Sequence, residues 1–220
     1  MLQITNDGSH TLFSAQYGVT YHSHFGAITE SAHVFIAAGL RFKAVVQRDI
    51  RILEAGFGTG LNAFMTWLEA ERRNLQVSYT GLEINPLSAE DASGLNYPLL
   101  LNAPDRATDF HLLHRCEWEK AHPLSEHFVF EKRRTPIQQF EQKDAFDLIY
   151  FDAFAPQAQP ELWTDEVFAR LFNSLRPEGA LVTYCAQGEF KRSLKRAGFV
   201  VERLQGPPGK REMTRALKEV

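Results

Sequence analysis

Three acidic residues, Glu54, Glu83 and Asp152, each end an apolar run that has the spacing of a β-strand. In an open α/β sheet, ligands bind outside the carboxyl ends of the strands, so we expect the three carboxylates to line one crevice. A carboxylate at such a place can attract an ammonium group, accept hydrogen bonds from ribose hydroxyls, or face a polar nucleophile. The three acids therefore predict a ligand site that can support acid–base chemistry.

The first acid leads directly into a turn with glycine at every second position. Without Cβ atoms there, the N–H groups at the start of the next helix can approach a ligand closely. The dinucleotide fingerprint G-x-G-x-x-G would need glycine where the chain has Leu61. A carboxylate at Glu54 would repel a phosphate and attract an ammonium, which favours S-adenosylmethionine, with Glu83 accepting the ribose hydroxyls. The alternative is an ordinary strand–turn–helix unit whose glycines only allow close packing. The predicted cofactor-binding residues of the turn are Gly56, Phe57, Gly58, Thr59 and Gly60.

The third acid, Asp152, ends the clearest buried strand of the sequence, residues 145–152. An aromatic residue and a proline follow it closely, and they predict a stiff loop that forms the wall of a substrate pocket. We expect Asp152 to be the catalytic residue, with its carboxylate facing a polar nucleophile. The alternative is a helix cap or a buried turn acid. The predicted substrate-binding residues of this loop are Phe154, Ala155 and Pro156.

Strands alternate with helices over most of the chain, which predicts an α/β fold with a mostly parallel, seven-stranded sheet and right-handed crossovers. A hairpin around the Gly-Pro-Pro-Gly turn at 206–209 should add an antiparallel strand. Residues 1–45 carry turn signals and short alternating runs, which predict a small β appendage and a helix at about 29–38. We expect one structural unit, with the Rossmann-like domain at 46–220.

The composition is that of an ordinary globular protein, with 220 residues, 44% of them hydrophobic and 23% charged. No stretch has the length of a membrane span and the start lacks the layout of a signal peptide, so we expect a cytoplasmic protein without a membrane partner. Cys116 and Cys185 lie far apart, and His22 and His24 have no evident third ligand, so we expect no metal. We expect the two histidines to hydrogen-bond within the fold or to line the cofactor cleft.

The net charge of −3 hides a basic C-terminal region. From Glu189 to Val220 there are nine basic residues and only four acidic ones. Any polyanionic partner should therefore meet this region and not the whole surface. The alternative is a solvated amphipathic helix. If a polyanionic partner binds, the basic residues of this region that can meet its phosphates include Lys191, Arg192, Lys195, Arg196, Lys210 and Arg211.

Four motifs together resemble the bacterial tRNA 5-aminomethyl-2-thiouridine methyltransferases, which comprise the stand-alone MnmD proteins and the N-terminal half of bifunctional MnmC. The motifs are Glu-Ala-Gly-Phe-Gly-Thr-Gly-Leu-Asn at 54–62, Phe-Asp-Ala-Phe-Ala-Pro at 151–156, Pro-Glu-Leu-Trp-Thr at 160–164 and Gly-Lys-Arg-Glu-Met at 209–213. The resemblance covers nearly the whole chain and implies the fold of a class I S-adenosylmethionine-dependent methyltransferase. It adds Asn62 to the expected cofactor-binding residues, and Lys210 and Arg211 to the substrate-binding ones.

The resemblance implies methyl transfer to the primary amine of 5-aminomethyl-(2-thio)uridine at the tRNA wobble position. An alkylamine is mostly protonated at neutral pH, so the site must also remove a proton, a role that suits Asp152. Phe154 would stack on an everted base, and Lys210 and Arg211 would meet phosphates of the anticodon stem-loop. Related enzymes usually contact the adenine amine with an acidic residue after the third strand. The resemblance implies that Glu131 or a backbone carbonyl takes this role here. A separate flavin oxidase of the same modification pathway is the other implied partner.

Two other functions fit the residues in part. One keeps the cofactor and changes the acceptor to a small-molecule amine, as in an aminopropyl transferase, and the basic C-terminal region disfavours it. The other is a tRNA-binding protein without catalysis, which the intact set of Glu54, Glu83 and Asp152 disfavours. Retention on tRNA would separate the first alternative from a tRNA methyltransferase, and turnover would separate the second.

Overall fold

The computed structural model describes residues 1–219. Its strands are β1 Leu2–Ile4, β2 His10–Ser14, β3 Val19–Thr20, β4 Asp49–Ala55, β5 Gln76–Leu82, β6 His122–Ser125, β7 Phe128–Arg133, β8 Phe146–Phe151, β9 Leu175–Thr183, β10 Val200–Gln205 and β11 Glu212–Leu217. Its α-helices are α1 Ala27–Ser31, α2 Leu61–Arg73, α3 Ala89–Ser93, α4 Tyr97–Leu100, α5 Ala107–Arg115, α6 Asp165–Ser174 and α7 Gly188–Arg196. Helix α1 continues directly into a π-helix, Ala32–Arg41.

The main sheet has eight strands in the order β10-β11-β9-β8-β4-β5-β7-β6. Its central strands, from β9 to β7, are parallel, and the β10–β11 hairpin and β6 are added antiparallel at the two edges. From β4 the chain continues to β5 and β7 on one side, and then returns to β8 and β9 on the other. The strand order therefore reverses between β4 and β8, which is where open α/β sheets bind their ligands.

Helices cover both faces of this sheet. On one face, Ile50 and Ile52 of β4 belong to an apolar cluster with the π-helix, α2 and α5. On the other face, Leu53 and Ala55 of the same strand belong to a cluster with α6 and α7. Because side chains alternate across a strand, Glu54 shares the parity of Ile50 and Ile52 and points to the face that α2 covers. The fold thus buries this acid beneath the helix that follows the glycine turn.

The α/β fold, the mostly parallel sheet and the closing hairpin predicted from the sequence are confirmed. The sheet has one strand more than the seven expected, and the additional strand is the edge strand β6. This strand has only four residues, includes Pro123 and pairs irregularly at the sheet edge, so it carries little alternation. The helix expected at 29–38 is longer, since α1 and the π-helix together run from Ala27 to Arg41. Among the described residues, no helix combines the length and apolar character needed to cross a membrane.

The first twenty residues form a second, three-stranded antiparallel sheet, β1-β2-β3, which packs beside the main fold. Two side chains at the start of α4, those of Asn96 and Tyr97, hydrogen-bond to strand β2. Asn96 Oδ1 accepts from the backbone N–H of His10 at 2.9 Å, and the Tyr97 hydroxyl donates to the carbonyl of His10 at 2.8 Å. The appendage is therefore held by hydrogen bonds to residues far along the chain.

Asp7 fastens the turn before β2 to the first turn of α1. Its carboxylate accepts from the backbone and the hydroxyl of Thr29, at 2.9 and 2.8 Å. It also accepts from the hydroxyl of Thr5 and from the backbone and hydroxyl of Ser9. Partial burial alone would raise the pKa of Asp7, but these hydrogen bonds lower it to about 2. The ionised carboxylate therefore stabilises the junction between the appendage and α1.

Replacing Asp7 by alanine should lower the free energy of unfolding by about 1–2 kcal/mol at pH 7, because it removes a charged acceptor from a partly buried cluster. A carboxyl group whose folded pKa lies below its unfolded value stabilises the fold above the unfolded pKa, and loses this contribution as pH falls through the folded one. The difference between the variant and the wild type should be constant above about pH 5 and shrink as pH falls from about 4 to 2. Urea denaturation over this range measures it, and a gap that is unchanged at pH 3 would contradict a role for the charge.

Candidate active site

One cleft opens at the carboxyl ends of the strands, where the order of the sheet reverses. It contains about 810 Å³ of empty space, part of which is open to solvent. The predicted residues that line it are Gly56, Phe57, Gly58, Thr59, Asn62, Glu83, Asp152 and Phe154. The predicted residues outside this lining are Glu54, Gly60, Ala155, Pro156, Lys210 and Arg211. The structure therefore brings the glycine turn and two of the three strand-end acids to one place.

Positive φ angles shape the glycine turn. Gly56, at φ 91°, passes so close to the end of β8 that a Cβ atom there would lie 2.7 Å from the carbonyl oxygen of Asp152. Only glycine permits this approach. Gly58, at φ 50°, donates its backbone N–H to Glu83 Oε2 at 2.9 Å. The turn is therefore tied to the ends of both neighbouring strands, β5 and β8.

Two backbone donors hold the carboxylate of Glu83 at the side of the cleft. Gly58 N–H donates to one oxygen, and Asn85 N–H donates to the other at 2.7 Å. Each carboxylate oxygen can accept a second hydrogen bond. Glu83 can therefore still accept the two hydroxyls of a ribose, which is the role expected of it.

Glu54 is a fully buried carboxylate whose hydrogen bonding is incomplete. Asn62 donates to Oε1 at 2.9 Å, whereas Oε2 and the hydroxyl of Tyr79 have no partner among the described residues. Burial, followed by the charge of Asp152, raises the pKa of Glu54 well above its ordinary value. A buried oxygen without a donor is costly, and a ligand with an ammonium group would supply both the donor and the charge. Glu54 is fully buried and outside the lining of the cleft, and its unpartnered oxygen has the chemistry to accept a donor such as an ammonium group.

Asp152 lies on the other side of Asn62, whose amide nitrogen also donates to Asp152 Oδ2 at 2.8 Å. Burial, followed by the charge of Glu30, raises the pKa of Asp152 to about 7, against the opposing effects of Asn62 and Lys210. A carboxyl group that titrates near neutral pH is well suited to exchange a proton with a ligand. Among the described residues none donates to Oδ1, so this oxygen is available to a ligand in the cleft.

The side chain of Lys210 is partly buried, near the loop that follows β8. Its Nζ forms an ion pair with Glu30 Oε2 at 2.5 Å, and the side chain of Glu30 is only 10% exposed. The same ammonium lies 3.8 Å from the centre of the Tyr184 ring, a cation–π contact. The Tyr184 hydroxyl in turn donates to the carbonyl of Ala153 at 2.7 Å. The positive charge of Lys210 is therefore directed to the acceptor side of the site.

Several of the basic residues expected to meet phosphates are already paired with carboxylates. The pairs are Lys191–Glu212 at 2.8 Å, Arg192–Glu189 at 2.5 Å and Arg196–Asp165 at 2.7 Å. Lys195 and Arg211 are exposed, and within residues 1–219 neither has a carboxylate partner. Exposed ion pairs contribute little to stability and can open, but they reduce the free charge of this region.

Phe154 packs against two tyrosines of the N-terminal appendage. Its ring centroid lies 4.7 Å from that of Tyr17 and 5.0 Å from that of Tyr21. The Tyr17 hydroxyl accepts from the side chain of Gln159 at 3.1 Å. All four residues line the cleft. Sequence reasoning missed the tyrosines, because they belong to a part of the chain where no catalytic motif marks them.

His22 lines the cleft, whereas His24 is exposed. The ring of His22 contacts the hydroxyls of Thr11 at 3.3 Å and Thr59 at 3.4 Å. Burial lowers the pKa of His22 to about 4, so the ring is neutral at neutral pH. The part of the chain that the structure describes contains no group of three or more side chains that could hold a metal ion. His22 therefore supports the glycine turn through Thr59.

The segment after β7 lines the part of the cleft opposite the glycine turn. Glu131 lies within β7, pairs with Arg133 at 2.8 Å and does not line the cleft. Residues 135–138, which end in Gln138, do line it. A backbone carbonyl, the other expected counterpart of the adenine contact, is available there, as is the amide of Gln138. No acid marks this segment, which is why the sequence did not reveal it.

Comparison with known proteins agrees with this arrangement. Residues 113–219 match a family described as S-adenosyl-L-methionine-dependent methyltransferase. The tRNA 5-methylaminomethyl-2-thiouridine biosynthesis bifunctional protein MnmC of Burkholderia multivorans is 33% identical over 227 residues, which cover 96% of this chain and 34% of that protein. MnmC of Cupriavidus necator is also 33% identical, over 92% of this chain and 32% of that protein. The chain thus spans about a third of the length of the curated relatives that it matches.

The crystal structure of MnmC2 from Aquifex aeolicus resembles the whole described fold. The two structures superpose with a TM-score of 0.79 at 29% sequence identity, over 98% of this chain and 69% of that chain. The likeness therefore includes the N-terminal appendage as well as the main sheet. Together with the matched family and the aligned relatives, it shows that the chain belongs to the S-adenosylmethionine-dependent methyltransferases, and within them to the family that MnmC and MnmC2 represent.

Proposed function

We propose that this protein transfers the methyl group of S-adenosylmethionine to the primary amine of 5-aminomethyl-(2-thio)uridine at the wobble position of tRNA. The observation that carries the proposal is the carboxyl group of Asp152, which titrates near pH 7 beside the cofactor cleft and has one oxygen available. The relatives support it, since the names of the MnmC proteins state a role in tRNA 5-methylaminomethyl-2-thiouridine biosynthesis. That nucleoside differs from the proposed acceptor by one N-methyl group.

The cofactor side of the reaction depends on three features of the cleft. The glycine turn and Glu83 bind the nucleoside part, and Glu54 faces the ammonium of the amino-acid part. Bound S-adenosylmethionine supplies a methyl group that its sulfonium already activates. The protein therefore needs no group to activate the methyl donor, and its main task is to align and desolvate the acceptor.

The acceptor side depends on Asp152. An alkylamine has a pKa of about 10 in water, so the acceptor arrives mostly as an ammonium group. Asp152 Oδ1 accepts a hydrogen bond from this group and takes one proton, which leaves a neutral amine. The nitrogen lone pair would then form the new N–C bond as the S–C bond of the sulfonium breaks and S-adenosylhomocysteine leaves, and the proton would pass from Asp152 to solvent. General-base assistance of this kind contributes about 10²–10⁴-fold to a rate.

The acceptor base and its RNA are proposed to meet the loop after β8 and the basic C-terminal region. Phe154, backed by Tyr17 and Tyr21, offers a ring on which an everted base can stack. Arg211 is proposed to meet a phosphate of the anticodon stem-loop. A flavin oxidase of the same modification pathway remains the other proposed partner.

The two alternatives are less well supported. A small-molecule amine would not need the aromatic wall around Phe154, which suits a flat ring. A binding protein without catalysis would not need a buried carboxyl group with a raised pKa, because such a group is a cost to the fold. Both alternatives nevertheless predict results that differ from those of the proposed function.

The test is transfer of labelled methyl from S-adenosylmethionine to bulk tRNA from cells that lack the wobble methyl group, followed by nucleoside analysis. We expect label in a 5-methylaminomethyl-uridine species. Label in another nucleoside would overturn the proposed acceptor. If the cofactor binds and no label enters tRNA, a small-amine acceptor or a binding protein takes the place of the proposal.

Replacing Asp152 by asparagine should lower turnover by about 10²–10⁴-fold, because the amide cannot take the proton of the acceptor. The dissociation constant of S-adenosylmethionine should change by less than about threefold, since the amide keeps the size of the side chain and one oxygen for Asn62. Single-turnover rates and titration calorimetry measure the two quantities. The matched control is Asp105→Asn, an exposed aspartate outside the cleft, which should leave both unchanged.

The same Asp152→Asn variant should be more stable than the wild type at alkaline pH. A folded pKa of about 7, above the ordinary 3.8, means that the fold loses stability as pH rises from about 4 to 7. The variant lacks this loss, so its free energy of unfolding should exceed that of the wild type by about 2 kcal/mol at pH 8 and by little at pH 4. Equal stabilities at both pH values would contradict the raised pKa.

Binding of S-adenosylmethionine should release a proton from Glu54 at pH values above its ordinary pKa. The raised pKa favours the protonated form of this buried group in the free protein, and an ammonium beside it favours the ionised form. Calorimetry in two buffers with different ionisation enthalpies should therefore give different heats, and affinity should rise with pH until Glu54 is ionised in the free protein. Glu54→Gln should abolish the buffer dependence and weaken binding by about tenfold or more. Equal heats for the wild type would contradict the role of Glu54.

A further inference from the structure

Asn62, near the start of α2, is the only side chain among the described residues that hydrogen-bonds to both strand-end acids, Glu54 and Asp152. Its amide nitrogen donates to Glu54 Oε1 at 2.9 Å and to Asp152 Oδ2 at 2.8 Å. Its Oδ1 accepts from the hydroxyl of Ser31. Asn62 is 4% exposed and Ser31 is 2% exposed, so water cannot readily replace these contacts. The two donors and the acceptor of one buried amide are therefore all in use.

The orientation of this amide follows from the partners on its two sides. The ionised form of Asp152 can only accept hydrogen bonds, so the NH₂ group must face it. A flipped amide would point its oxygen at both carboxylates and repel them. Ser31 holds the other end of the amide, because its hydroxyl donates to the amide oxygen, which would otherwise be buried without a donor. The serine thus acts on the acids through Asn62 without touching either of them.

We infer that Ser31 and Asn62 are positioning residues for Asp152: the Ser31 hydroxyl fixes the Asn62 amide, which holds one carboxylate oxygen and leaves the other for the acceptor amine. The inference rests on the proposed function for the identity of the acceptor. Its geometric basis, the chain of hydrogen bonds from Ser31 to Asp152, does not depend on the acceptor.

The N-terminal segment delivers Ser31 to this position. Ser31 is the last residue of α1, and the π-helix begins directly after it. Asp7 binds the first turn of α1 through the backbone and hydroxyl of Thr29. On the same helix, Glu30 forms the ion pair with Lys210. Helix α1 therefore presents Glu30 and Ser31 to the acceptor side of the site, although it does not follow any of the strands that bear the acids.

The pH dependence of Asp152 reports on this arrangement. Hydrogen bonding to the Asn62 amide favours the ionised form, so an amide that has lost its donor from Ser31 should hold the carboxylate less well and raise the pKa of Asp152 further. The same loss should raise the pKa of Glu54, which shares the amide. The other titratable and charged groups that interact with Asp152 are Glu30, Tyr79, Tyr97, Tyr184 and Lys210. None of these changes when Ser31 is replaced.

The experiment compares Ser31→Ala with the wild-type protein. We expect kcat to fall about tenfold, the equivalent of one hydrogen bond, while the KM for tRNA changes by less than about threefold. The acid limb of the kcat/KM profile should move upward by about half to one pH unit. Ser31→Thr keeps the hydroxyl and should return the limb to within about 0.2 unit of the wild type. Ser174→Ala is the matched control, because Ser174 is also buried but its hydroxyl donates to the carbonyl of Leu171 in α6.

A second readout does not need the acceptor. The affinity of S-adenosylmethionine depends on pH through Glu54, so in Ser31→Ala its rise should move to higher pH by a similar amount. If the wild type methylates no tRNA, the proposed function fails and this binding profile still decides the role of Ser31. An unmoved acid limb and an unmoved binding profile in Ser31→Ala would overturn the inference, even if turnover fell, because a merely structural defect would have the same effect on rate.

Discussion

Two buried carboxylates that share one amide are the constraint on which this structure depends. Glu54 and Asp152 stand at the ends of neighbouring parallel strands, and Asn62 donates one N–H to each. Burial and like charge raise both pKa values, so the folded state carries a cost at neutral pH. Burial of apolar side chains on both faces of the eight-stranded sheet offsets this loss of stability. The raised pKa values that lower the stability of the fold at neutral pH also allow the site to exchange protons.

The N-terminal segment contributes side chains to the site. Tyr17 and Tyr21 back the ring of Phe154, and Ser31 fixes the amide of Asn62. The π-helix that follows α1 belongs to a rare class that occurs frequently at functional sites. Its position directly after Ser31 fits this pattern. Loss of the segment would leave the strand-end acids in place but without the wall and the donor that organise them.

The sequence predicted the parts of the site that follow from local rules. Strand-end acids and a glycine turn converge because parallel strands end at the same edge of a sheet, so Glu83 and Asp152 could be placed together from their spacing alone. Ser31 could not be predicted in this way, because its distance from Asn62 along the chain is set by tertiary packing. The pairing of Glu30 with Lys210 is more distant still. Strand β6 was missed for a different reason, since a four-residue edge strand with a proline has almost no pattern.

The basic C-terminal region shows why a count of charges is a weak guide to a binding surface. Lys191 pairs with Glu212 at 2.8 Å, and Arg196 pairs with Asp165 at 2.7 Å. Lys210 forms an ion pair with Glu30. Within the described residues, Arg203 and Arg211 are exposed and have no carboxylate partner. Attraction of a polyanion falls with each neutralised cation. Selection of the acceptor must therefore depend more on the shape and acid–base chemistry of the cleft than on the charge of the surface around it.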